Sequence, residues 1–237
     1  MNSYQIHTPR LLPVSKIFIV MTVFIFLLSS VLKVTIGLDL APFLGLSSSL
    51  FFKGGIYSIV TYPFMGTGLF EVIFDSLLIW FLGSELEALW GKVKYLGLAF
   101  FAAFLSGAVF LFVGLFFPSL SLYPLTGLAG VCNAMLVIYA MLYPERYFSF
   151  MMIFPLKAKW FCLILLGMQL YLGIFSPGAA LAWGHMGGML AGYLFMKFWQ
   201  MKIKGISFSL MSKKLKSPKK GKLHLIKGED SDQKYWH

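Results

Sequence analysis

The chain has 237 residues, 59% of them hydrophobic and 12% charged, with a formal net charge of +11. A soluble domain carries about 25% charged residues, so this composition, with a mean hydropathy of +0.80, excludes an ordinary soluble enzyme and describes a polytopic membrane protein. The positive charge does not call for nucleic acid, because its placement along the chain follows membrane sidedness, and Cys132 and Cys162 both lie in apolar segments and give no disulfide framework.

Residues 1–16 form a short polar start, read as a cytoplasmic N-terminus. Residues 17–32 are an apolar run with no small-residue cleavage site after it, which reads as a retained first helix rather than a signal peptide. Residues 33–68 are a long connection containing Pro42, Gly54, Gly55, Pro63 and Gly66. It is too apolar for a solvated linker and is expected to lie partly in the membrane interface, packed on the helices. A second helix begins at Leu69 and runs through 83–91 to a basic turn at Lys92 and Lys94. Residues 95–117, 126–142, 160–175 and 182–199 supply four more, with 143–159 expected as a turn. From 201 the chain is polar and rich in lysine, with disorder expected after Ser212. The fold class is therefore expected to be all-α: a six-transmembrane-helix bundle over 17–200 with a membrane-associated first loop, followed by a basic cytoplasmic tail over 201–237.

With six spans, 18 of the 20 Lys and Arg residues fall on one side; Lys33 and Lys53 are the exceptions. The positive-inside rule then places both termini in the cytoplasm. The short loops and compact layout point to a bacterial cytoplasmic membrane.

Helices two, four and six all run inward in this topology. Glu71, Asp75, Ala129 and His185 are thus expected in one layer within two turns of the outer boundary. Ionisable groups in a span are functional candidates by default. Each also has a plain reading: His185 as a hydrogen-bonded interface residue, Glu71 as a headgroup contact, Gly127, Gly130 and Ala134 as a small-residue packing face. Glu71 and Asp75 stand at i, i+4 on one helix face. With His185 they could form a carboxylate–histidine site for a proton or for zinc or manganese, though no fourth ligand is evident.

Three local patterns resemble the rhomboid family of intramembrane serine proteases. Gly83, Glu87 and Gly91 resemble its G-x-x-x-E-x-x-x-G at the end of helix two. Gly127, Leu128, Ala129 and Gly130 resemble its G-x-S-G opening helix four, and His185, Gly188 and Gly192 resemble its H-x-x-G-x-x-x-G on helix six. The resemblance implies a Ser–His dyad, with a His and an Asn of helix two helping to hold the oxyanion. Here the nucleophile position is Ala129, the helix-two pair is Glu71 and Asp75, and the general base position is His185. A methyl group is no nucleophile, and carboxylates repel an oxyanion. Cys132, nearly a turn past Ala129, offers no substitute. The resemblance therefore implies a pseudoprotease that binds transmembrane clients, needing no cofactor. The alternative is a serine endopeptidase whose serine at 129 has been replaced.

Overall fold

The structure is a computed structural model that describes residues 10–121, 123–148 and 156–215. The chain divides into two units, Met1–Phe198 and Trp199–His237. In the second unit the described backbone is the helical stretch to Leu215; the expected disorder after Ser212 falls, beyond Leu215, outside the described residues. The first nine residues of the expected N-terminal segment are outside them as well.

The first unit is built from helices. α1 (Pro13–Ile36) begins four residues before the apolar run, because Pro13 suits a first helical turn. Three short helices follow in the first connection: α2 (Ala41–Leu44), α3 (Ser48–Phe52) and α4 (Ser58–Thr61). α5 (Leu69–Leu78) passes through a five-residue π turn, Ile79–Gly83, into α6 (Ser84–Trp90). Gly91 separates α6 from α7 (Lys92–Phe116) at φ +77°, a conformation that glycine adopts without a side-chain penalty. α8 (Ala129–Leu142), α9 (Ala158–Phe175) and α10 (Ala179–Leu215) complete the order.

Among the described residues three helices are long and apolar enough to cross a membrane: Pro13–Ile36, Lys92–Phe116 and Ala158–Phe175. A fourth is added if Ser58–Phe64 and Leu69–Trp90, bent by 92°, count as one span. The sequence expectation of six is thus met in part. The main shortfall is α8, whose 14 residues reach only about 21 Å at the usual helical rise.

The first connection packs on the helices rather than skirting them. Leu46 and Leu125 exchange backbone hydrogen bonds of 2.9 and 2.7 Å, joining it to the segment before α8. The buried Tyr62 donates its hydroxyl to the Ala103 carbonyl at 2.7 Å, near the middle of α7. Its own carbonyl accepts the Gly127 N–H at 3.0 Å. α8 is buried on nearly every side, from Gly130 through Leu136.

The turn expected over 143–159 contains a small two-stranded antiparallel ladder, β1 (Tyr147–Phe148) with β2 (Leu156–Lys157). Charge pairs brace it. Glu145 accepts from Lys157 at 2.7 Å and also from Lys159. Arg146 reaches Glu85 of α6 at 2.5 Å and lies over the rings of Tyr139 and Tyr143, 5.8 and 5.3 Å from their centroids. The sequence does carry a strand signal here, an apolar aromatic-rich run over 147–154 bounded by Pro144 and Pro155, which the expectation of a plain turn passed over.

Candidate functional site

The N-terminus of α8 is where the singled-out residues meet. Gly127 holds φ +82°, turning the chain into the helix, and a Cβ there would collide with the Glu71 carboxylate. The same Cβ would stand 3.7 Å from Asp75 Oδ2. Glycine at 127 therefore serves both the turn and the close approach of two acidic side chains.

Each carboxylate has a backbone task. Glu71 Oε2 accepts from Thr67 N at 3.2 Å, Thr67 Oγ1 at 3.1 Å and Gly68 N at 3.3 Å, closing the N-terminus of its own helix, α5. Asp75, 4% exposed, accepts the Leu128 N–H at 3.1 Å through Oδ2. Leu128 is the N-cap residue of α8. Helix N-termini carry unpaired N–H groups and a partial positive charge, so a carboxylate is the natural partner for one that starts away from water. Glu71 and Asp75 thus stand beside Gly127 and Leu128, the four residues expected together, and both carboxylates are engaged there as caps.

α10 completes the site. A Cβ on Gly188 would stand 2.7 Å from the Gly130 carbonyl carbon, and one on Gly192 would stand 2.9 Å from the Ala134 Cα. The partners advance by four residues in both helices, so α8 and α10 run parallel in backbone contact. His185, one turn before Gly188 on that face, is level with Gly127, Leu128 and Ala129. No hydrogen bond joins His185 to Glu71 or Asp75, and no three His, Cys, Asp or Glu side chains converge on a metal position among the described residues. The carboxylate–histidine cluster is therefore not assembled. Cys132 donates its thiol to the Asp75 backbone carbonyl at 3.8 Å, beneath the carboxylate and away from Ala129.

The layer packs against the middle of α7. A Cβ on Gly130 would stand 2.9 Å from the Ser106 Cβ of α7. Ser106 is ten residues from the Phe116 end of α7, about 15 Å along the axis. The first connection reaches the same part of α7, where Tyr62 meets the Ala103 carbonyl.

The second motif cluster is a junction at the other end of α5–α6. Glu87, 3% exposed, accepts from Val14 N at 3.0 Å, Ser15 N at 2.9 Å and Ser15 Oγ at 2.9 Å, so it caps α1. Gly83 leaves room for the Tyr95 ring of α7, whose hydroxyl accepts from Ser15 Oγ at 3.3 Å. Ser15, Tyr62, Tyr95 and Ser106 were not legible as site-building residues. Ser106 has a weak signal, the two small pairs Ala102-Ala103 and Ser106-Gly107 in an apolar helix.

A family model described as eukaryotic integral membrane protein (DUF1751) matches residues 16–233, and the chain belongs to that family. No curated protein matches it. The family description corrects the bacterial cytoplasmic membrane expected from loop lengths: short loops report compactness, which membranes of any origin accommodate. Integral membrane residence stands.

Proposed function

We propose that this member of the eukaryotic integral membrane protein family is a rhomboid-like pseudoprotease, built on six membrane-crossing segments, that binds transmembrane segments of other proteins without cutting them. The observation that carries this reading is the Asp75–Leu128 hydrogen bond. In acyl transfer the donors at a helix mouth must be free for the developing oxyanion. Here one donor is taken by an internal carboxylate, a second carboxylate stands beside it, and the adjoining nucleophile position is Ala129. Two independent losses at one site favour a non-catalytic role over a protease with a single replaced serine.

The client part of the reading is supported by α9. Of its 18 residues only Ala158 and Gly173 are buried, so it is the most loosely seated of the long helices and the easiest to displace sideways. Beside α8, an apolar cavity of about 210 Å³ is lined by Phe18, Val60, Phe64, Phe100, Phe104 and Leu128, among others. It suits large aliphatic or aromatic side chains.

The test compares the parent and Ala129→Ser in native membranes with a single-span rhomboid substrate. Neither is expected to cleave. Cleavage by Ala129→Ser that His185→Ala abolishes would replace this reading with the protease. In parallel, a photocrosslinker at Phe161 is expected to capture a defined transmembrane peptide in competition with excess unlabelled peptide. Capture of lipid alone would remove the client.

A further inference from the structure

A second, polar pocket lies at the far end of the bundle. The α1 N-terminus meets Glu87 at the α6 end, so α1 ends and α7 ends on the opposite side. There α3 and the segment after α7 enclose a pocket of about 410 Å³ lined by Pro42, Ser47, Ser49, Lys53, Ser121 and Tyr123, with Leu50 and Pro124. That volume lies within the range of small-molecule sites. Phe43 and Phe52, each next in sequence to a lining residue, and Phe116 and Phe117 at the end of α7 are exposed, as aromatic rings at headgroup depth are.

The charge in this pocket has no internal answer. Six carboxylates fall among the described residues, and each is engaged elsewhere. Asp39 takes Lys33 at 2.9 Å, Glu85 takes Arg146, Glu145 takes Lys157 and Lys159, and Glu71, Asp75 and Glu87 cap helices. Lys33 and Lys53 are the cations at this end, and Lys33 is paired. Lys53 thus remains as an exposed ammonium among three serine hydroxyls and a phenol, with no carboxylate partner among the described residues. Ser47 Oγ accepts the Leu50 N–H at 3.3 Å and lies 3.3 Å from Ser49 Oγ, which leaves hydroxyl protons for a further acceptor. An ammonium and several hydroxyl donors lining one pocket suit the tetrahedral oxygens of a phosphate, which accept several charge-assisted hydrogen bonds at once.

We propose that this pocket binds a phosphate group, with Lys53 as its point charge and Ser47, Ser49 and Ser121 as hydroxyl donors. The phosphate comes either from a lipid headgroup or from a soluble phosphate compound. The exposed rings and the position at the end of the helices favour the lipid.

The experiment uses the full chain in dodecyl maltoside micelles, which carry no phosphate, and reads the unfolding temperature as phosphatidic acid, inorganic phosphate or neutral diacylglycerol is added. Phosphatidic acid is expected to raise it saturably and diacylglycerol to leave it unchanged. Lys53→Gln is expected to weaken the apparent affinity by about tenfold, as loss of a charge-assisted contact does. Lys53→Arg is expected to retain most of it, and Lys33→Gln all of it. Saturation by inorganic phosphate at concentrations similar to phosphatidic acid assigns the site to soluble phosphates; saturation by the lipid far below them assigns it to headgroups. Equal stabilisation by diacylglycerol, or unchanged affinity in both Lys53→Gln and Ser121→Ala, overturns the proposal. Lys53 is solvent-exposed, so its variants do not compromise folding.

Discussion

The Asp75 carboxylate accepts the Leu128 N–H at 3.1 Å across 53 residues of sequence, tying α5 to the first turn of α8. It is one of three carboxylate caps, two of which join distant segments. Glu71 closes α5, Asp75 closes α8 and Glu87 closes α1. A helix that begins inside a membrane protein cannot leave its first N–H groups to water, and a carboxylate satisfies them while matching the local positive potential. The acidic residues that look anomalous in an apolar sequence are the caps this architecture requires.

Replacing Asp75 by Leu leaves the Leu128 N–H buried without an acceptor. The expected loss is about 1–3 kcal/mol. Asp75→Asn keeps an acceptor oxygen and is expected to lose less. Steric-trap or denaturant titration in bicelles measures both; a Leu variant as stable as the parent would contradict the capping role.

Gly188→Val forces a side chain into the Gly130 backbone, where no side-chain adjustment relieves the clash. We expect separation of α10 from α8 and a loss above about 2 kcal/mol, at the upper end for overpacking. Gly97→Ala is the matched control. Nothing lies within 4 Å of a Cβ there, so alanine is expected to be neutral or to gain up to about 1 kcal/mol of helix propensity. Equal effects at the two positions would refute the close approach.

Glu87→Leu strips the acceptor from Val14 and Ser15. The expected cost is at least the 0.5–2 kcal/mol or so of an ordinary N-cap, read as faster amide exchange at Val14 and Ser15. Glu87→Gln is expected to protect partially. Protection unchanged in the Leu variant would show that α1 is held by packing alone.

Hydrogen bonds from Lys157 and then Lys159 hold the Glu145 carboxyl down to about 2. A depressed carboxylate contributes above its unfolded value and loses that contribution as pH falls through the folded one. The stabilisation from these pairs should therefore be complete above about pH 4 and decline as the pH falls towards 2, where the Glu145 carboxylate itself protonates and the pairs release. Both pairs are exposed, so salt should weaken them. Infrared titration of the Glu145 carboxylate checks the midpoint; an ordinary midpoint would mean that the pairs do not persist.

Much of the helical skeleton was legible because apolar runs and turn residues are local signals. The start of α5 at Leu69, the ends of α8 at Leu142 and α9 at Phe175, and the wide small-residue spacing of Gly188 and Gly192 are written into short windows. The level at which the site packs on α7 was not legible. It depends on Tyr62 reaching Ala103, a contact between distant segments that no periodicity announces. The same holds for the carboxylates. Glu71 and Asp75 could be placed on one helix face from spacing alone, but what they face is Leu128 and Gly127, 53 or more residues on. His185 could be aligned with Ala129, whereas spacing within one helix does not show whether its ring reaches Asp75 across the helix interface.

The shortness of α8 bears on how the protein is made. A segment of 14 residues, with the polar Asn133 among its buried positions, is a poor candidate for one-at-a-time release into lipid, which favours about 20 consecutive apolar residues. Its glycine and alanine face has no partner until Gly188 and Gly192 emerge, more than fifty residues later. α8 must therefore be retained beside α7 during synthesis and locked in only when α10 arrives, so that a truncation before Gly188 leaves an orphan segment for quality control to recognise.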